Sequence, residues 1–95
     1  MKKGTLVYNV DYRKYKDEDL CMLLGRLVSD CEYFLGYGNG YEGHLWGGSV
    51  EKHTWYMKDM FNVLTRRGVE VTLVSKQGIE EYKKAMLAVK YANRG

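Results

Sequence analysis

The sequence predicts an α+β fold in which two short strands pair with each other and pack against three helices. In three stretches, apolar residues recur at three- and four-residue steps, which is the period of a helix with one buried face. Two shorter stretches alternate apolar and polar residues and are rich in β-branched side chains, as half-buried strands are. The predicted order is β-α-α-β-α, and 95 residues fit a single domain over residues 1–95.

The first strand is predicted at residues 5–10, and a charged connector follows it. The first helix is predicted at residues 17–35, because three acidic residues fill its first turn and a continuous apolar stripe follows them. Gly25 lies inside this stripe, where glycine costs up to about 1 kcal/mol relative to alanine. We therefore expect a neighbouring element to pack closely against Gly25.

The second helix is predicted at residues 50–67, between an N-capping Ser49 and a C-terminal Gly68. The second strand then covers residues 69–74, and the third helix covers residues 77–93.

The inner faces of these elements predict the core. Replacing a residue on such a face with alanine is expected to cost about 2–5 kcal/mol of folding free energy. The residues expected to be buried together are Leu24, Leu27, Cys31, Met57, Phe61, Leu73 and Met86.

Residues 36–48 form a loop in which six glycines alternate with aromatic residues. Flexible linkers are usually rich in Gly and Ser, so the aromatic content indicates an ordered recognition loop whose Leu45 and Trp46 dock on the helices. The alternative is that the rings cap a small core and hold the loop against it. The residues predicted to contact a partner are Tyr37, Asn39, Tyr41, His44 and Trp46.

Cofactor and metal sites are not indicated. The glycine spacing departs from the dinucleotide fingerprint, since a helix leads into it and no Lys-Ser or Lys-Thr pair marks a phosphate loop. The candidate metal ligands lack the paired short spacing of zinc sites, so we expect no metal; they are Cys21, Cys31, His44 and His53.

Catalysis is not indicated either. The candidate nucleophile and base are Cys31 and His44, and a buried core thiol explains Cys31 better. Cys21 and Cys31 would lie about 15 Å apart along one helix, too far for a disulfide. We therefore expect a non-enzymatic protein with free thiols, as in a reducing compartment.

The net charge of +3 leaves nucleic-acid binding open as a second function. Basic residues cluster in two segments, which would form one face only if the connector and the third helix were adjacent; a solvated face is the simpler explanation. A third hypothesis is a sponge that sequesters a small nucleotide signal between aromatic rings and cationic side chains. The nucleic-acid candidates are Arg13, Lys14, Lys16, Lys83, Lys84, Lys90 and Arg94.

The sequence also bears on location. No apolar stretch approaches the roughly 20 residues that cross a membrane, and no apolar signal core follows Met1-Lys2-Lys3. We expect a cytoplasmic protein.

Residues 30–64 carry a family resemblance. The segment Asp30-Cys31-Glu32-Tyr33-Phe34-Leu35-Gly36-Tyr37-Gly38-Asn39, followed by His44-Leu45-Trp46 and by Met57-x-x-Met60-Phe61-Asn62-x-Leu64, resembles the large polyvalent protein-associated domain 11 family. Glu81-Tyr82-Lys83-Lys84-x-Met86 is similar to the family's closing helix, so the resemblance covers about two thirds of the chain.

The resemblance implies an origin in phages, plasmids or conjugative elements. It implies a general role in protecting the invading element from host defence, with no established activity and no catalytic residues to carry over. The expected partner is therefore a host protein in the bacterial cytoplasm, such as a defence component inhibited in the manner of an anti-CRISPR.

Overall fold

The structure is a computed structural model that describes residues 12–36 and 40–94, the side chains of residues 93 and 94 excepted. Three helices and two short 3-10 turns account for most of these residues. In chain order the elements are α1 (Asp17–Leu35), the 3-10 turns Glu42–His44 and Trp46–Gly48, α2 (Val50–Arg66) and α3 (Lys76–Arg94). All three predicted helices are present, within one residue of their predicted ends.

The predicted α+β fold is wrong, because the described part of the chain is helical and contains no strand. The predicted first strand, residues 5–10, lies outside the described residues. The second predicted strand, residues 69–74, is an irregular connection between α2 and α3. Alternation reports which side chains are buried, and an unpaired chain that crosses a helical surface can satisfy it as well as a sheet can.

The side chains that this connection buries also differ from those predicted. Val69, Val71 and Val74 pack against the core, whereas Leu73, which was predicted to be buried, is 42% exposed.

The two ends of α2 show why the sequence sets its bounds so clearly. Ser49 accepts a hydrogen bond from the Lys52 amide through its side-chain oxygen, at 3.1 Å. At the other end Gly68 adopts a φ of 84°, a left-handed conformation that glycine enters without steric cost. That turn lets the Val69 amide donate to the Leu64 carbonyl at 3.0 Å, which closes the last turn of the helix.

The core lies where α2 packs against both α1 and α3. Cys31 of α1 and Met57 of α2 meet there, with their sulfur atoms 3.5 Å apart. Phe61, which was predicted to be in the core, is only partly buried at its edge. The fully buried side chains include Leu20, Leu24, Leu27, Phe34, Met57, Met60, Leu64, Ile79 and Met86.

Gly25 does not make the close contact that was predicted for it. A Cβ built at this position would find no atom within 4 Å outside its own helix, so the predicted close neighbour is absent from the described residues. Of the described helices, none has both the length and the apolar character that crossing a membrane requires.

Candidate functional site

The second half of the glycine-rich loop is fixed on the helices by two side chains. Leu45 is 5% exposed and belongs to the core. The Trp46 ring packs edge-on against Tyr56 of α2, with ring centroids 5.0 Å apart. The prediction that these two residues dock on the helices is confirmed. Trp46 therefore supports the loop, although it was also predicted as a partner contact.

His53 of α2 joins this loop to α1 from inside the protein. Its ring is fully buried, its Nδ1 accepts a hydrogen bond from the Trp46 amide at 2.9 Å, and its Nε2 lies 2.9 Å from the Leu27 carbonyl oxygen. Because Nδ1 is the acceptor, the proton of the neutral ring sits on Nε2 and is donated to Leu27. Burial lowers the pKa of His53, although the bond to Leu27 and the charge of Asp30 oppose that shift.

The thiol of Cys31 is poorly placed to react, because it is buried. Burial, with smaller contributions from the charges of Asp30 and Glu32, raises the pKa of its thiol to about 12. The thiol is therefore protonated at neutral pH, and the thiolate is the form that acts as a nucleophile or metal ligand. Both cysteines are free, and among the described residues no three His, Cys, Asp or Glu side chains come together as a potential metal site.

Glu42 ties the loop to the other two helices. Its Oε2 accepts a 2.8 Å hydrogen bond from the Val50 amide at the start of α2 and pairs with Lys90 Nζ of α3 at 3.2 Å. Lys90 also pairs with Glu51 at 3.2 Å. Burial opposes the charge of Lys90, but the two carboxylates outweigh it and raise the pKa of Lys90. This link could not be predicted from the sequence, because Lys90 lies far along the chain from Glu42 and Glu51.

Three rings lie together on the surface where α1 ends, and we call Tyr33, Tyr41 and His44 the aromatic triad. The His44 ring stands nearly perpendicular to both tyrosines, with centroids 5.5 Å from Tyr33 and 5.0 Å from Tyr41. Tyr33 is 44% and Tyr41 63% exposed. The Tyr41 ring covers Gly43, where a Cβ would collide with it, so this glycine allows the close approach.

The structure brings together only part of the predicted partner site. Tyr41 and His44 lie in the triad, whereas Tyr37 and Asn39 lie outside the described residues. Tyr33 was missed because it belongs to α1 rather than to the loop. The helical period could have indicated it, since Cys31 and Phe34 face the core and Tyr33 lies between them on the outward face.

The predicted basic residues do not form one compact face. Arg67, at the end of α2, holds the connector by donating to the Tyr12 carbonyl at 2.8 Å, the Tyr15 carbonyl at 2.9 Å and the Asp17 carboxylate at 3.0 Å. Lys90 instead pairs with Glu51 near the start of α2, about 25 Å away along that helix. The connector carries Arg13, Lys14 and Lys16.

The remaining basic candidates lie along α3. Lys83 borders a shallow surface pocket that Glu51 and Glu80 also line, so positive and negative side chains are mixed there. Lys84 is exposed, and the side chain of Arg94 lies outside the described part of the chain.

Comparison with known proteins adds one finding. A family model described as large polyvalent protein-associated domain 11 matches residues 17–86, which is most of the chain and includes the whole aromatic triad. This match confirms the resemblance carried by residues 30–64. Comparison with curated proteins and with solved structures gives no match.

Proposed function

The chain belongs to the large polyvalent protein-associated domain 11 family, and we propose that it is a non-enzymatic accessory protein of a mobile genetic element. In this proposal it binds a host protein through the aromatic triad. The resemblance implies that such domains protect an invading element from its host, so the proposed partner is a component of a bacterial defence system.

One observation carries the proposal: the aromatic triad is exposed yet rigidly supported. Tyr33 stands on α1, and the segment that bears Tyr41 and His44 is fixed by Leu45, by Trp46 and by the Glu42 bonds. Tyrosine contributes large contact area at low entropic cost and is enriched at binding hot spots. A supported ring also loses little freedom on binding, which favours affinity.

The charged surface supports a binding role over a catalytic one. Catalytic acids and bases usually sit in clefts where burial and neighbouring charges shift their pKa strongly. Here the charged pairs stabilise contacts between helices. Lys58 of α2 pairs with Glu80 of α3 at 2.6 Å, and the Tyr82 hydroxyl donates to Glu32 of α1 at 2.8 Å.

The test compares two exposed tyrosines. Tyr41→Ala removes a triad ring, and Tyr91→Ala removes a ring of α3 that is 56% exposed and outside the triad. Each tagged variant is incubated with lysate of the bacterial host, and captured proteins are quantified by mass spectrometry. We expect Tyr41→Ala to lose a specific host protein that wild type and Tyr91→Ala both retain. Equal capture by all three would contradict the proposal.

A further inference from the structure

We propose that the aromatic triad binds an arginine-bearing segment of the partner protein. This inference rests on the proposed function and names the chemistry of the surface that the triad recognises.

The first step is the geometry of the rings. The His44 ring meets Tyr33 at 88° and Tyr41 at 82°, so the three rings form a surface of perpendicular planes rather than a flat stack. The face of an aromatic ring carries negative potential and attracts a cation within about 6 Å of the centroid. Both tyrosines are partly exposed to solvent, which leaves ring surface within reach of a guanidinium group.

The second step is the charge around the rings. The chain has a net charge of +3, yet residues 27–50 contain three carboxylates and neither Lys nor Arg. Lys90 compensates one of them, Glu42. Glu32 lies beside Tyr33 in sequence and binds the neutral Tyr82 hydroxyl. Asp30 lies three positions before Tyr33, a spacing at which side chains of one helix are neighbours. The surface near the triad therefore keeps negative charge.

The end of α1 adds to this potential. A helix carries about half a negative charge at its C-terminus, and basic residues in the last turn commonly offset it. The last turn of α1 contains no basic residue, and Tyr33 lies within that turn. A cation on the partner would supply the missing charge.

Arginine suits this surface better than lysine does. Its planar guanidinium stacks on aromatic faces, gives up its hydration more readily and can donate two parallel hydrogen bonds to a carboxylate such as Glu32. An anionic partner, nucleic acid included, would meet like charge here.

The test uses a purified system and a defined probe. A fluorescein-labelled peptide of alternating glycine and arginine is titrated with the full chain at low salt, and binding is followed by fluorescence anisotropy. The matched probe replaces each arginine with citrulline, which keeps the shape and removes the charge. We expect at least about five-fold tighter binding of the arginine peptide, with the difference shrinking as salt is added.

Variants assign the binding to the triad. Tyr33→Ala and Tyr41→Ala should each weaken the arginine peptide about two- to five-fold, and Tyr41→Phe should retain it, because the ring rather than the hydroxyl attracts the cation. Glu32→Gln should weaken binding, and Tyr91→Ala should leave it unchanged. The Tm of each variant is measured to exclude unfolding as the cause of weaker binding. Tyr33 lies on a helix and Tyr41 in the loop, so their variants test the triad independently. Equal affinity for both peptides, or equal losses with Tyr91→Ala and Tyr33→Ala, would overturn the inference.

The two experiments separate the two proposals. If host capture depends on Tyr41 while the peptides bind equally, the proposed function stands and the arginine preference is wrong. If the arginine peptide is preferred but host capture ignores Tyr41, the triad binds cations and the proposed function fails.

Discussion

At the scale of single residues, the neutral form of His53 holds the site together. Its ring gives one hydrogen bond to α1 and receives one from the loop, so both nitrogens are satisfied without solvent. A second ring proton would face the Trp46 amide, which is itself a donor. Protonation therefore opposes the native arrangement, in agreement with the lowered pKa of His53.

Stability should consequently depend on pH below the ordinary histidine pKa of 6.5. Above that value His53 is neutral in both the folded and the unfolded chain, and its contribution is fully present. As the pH falls from 6.5 towards the lower pKa that His53 has in the folded protein, His53 is protonated in the unfolded chain but not in the folded one. The free energy of unfolding should fall there by up to about 1.4 kcal/mol per pH unit, measured by urea denaturation.

Replacing the His53 ring tests this dependence directly. His53→Gln should abolish it and also cost about 1–3 kcal/mol at neutral pH, because the ring's two bonds, from the partly buried Trp46 amide and to the Leu27 carbonyl, are lost together. A slope that survives His53→Gln would assign the titration to another group.

At the scale of elements, α1 carries a glycine that its surroundings do not require. Gly25 has helical neighbours on both sides and open space where a Cβ would point. Glycine loses more backbone freedom than alanine when a helix forms. Its helical cost is therefore not offset by a close contact among the described residues.

Gly25→Ala should therefore stabilise the protein by up to about 1 kcal/mol and raise its Tm. Gly68→Ala is the matched control, since space is open there too but φ is 84°. That backbone conformation is strained for alanine, so Gly68→Ala should lower the Tm. An unchanged or lower Tm for Gly25→Ala would show that a Cβ at this position meets an obstacle.

The loop before α2 is an element with an anchored end and an exposed end. Trp46→Ala should lower the Tm clearly, because it removes the ring that packs on Tyr56. Tyr41→Ala should leave the Tm nearly unchanged, because that side chain is 63% exposed. Amide exchange is the second measurement. Slow exchange of the Trp46 amide in wild type is expected from its bond to His53, and exchange as fast as in an unfolded chain would contradict the anchored loop.

The elements also show how far the sequence could predict this structure. Helix bounds were predicted closely because Ser49, Gly68 and the acidic first turn of α1 act locally, within a few residues of the helix end. The connection over residues 69–74 was mistaken for a strand because alternation cannot report whether a backbone partner exists. The site was predicted in part for a similar reason. Glu42 and Tyr33 acquire their roles through contacts with residues that are distant in sequence or on another element.

At the scale of the whole molecule, one thin core stabilises all three helices. Leu27 of α1 lies in this core with no exposed surface. Phe61 of α2 is only partly buried against the same core. The cost of removing a side chain should follow this difference rather than the size of the side chain.

Leu27→Ala should cost about 2–5 kcal/mol and, in so small a domain, can unfold it at room temperature. Phe61→Ala should cost less than Leu27→Ala, although phenylalanine is the larger residue. Chemical denaturation of both variants measures the order. A larger loss for Phe61→Ala would mean that the edge of the core contributes more than its burial indicates.

The bonds of Arg67 bear on the rates of folding and unfolding. They join residues more than fifty positions apart, the Tyr12 and Tyr15 carbonyls and the end of α2. These hydrogen bonds can form only after α1 and α2 have packed together, so they should be absent from the folding transition state. We expect Arg67→Ala to accelerate unfolding while leaving the refolding rate almost unchanged, as stopped-flow chevron plots would show. Arg67 would then govern how long the folded domain persists, more than how quickly it forms.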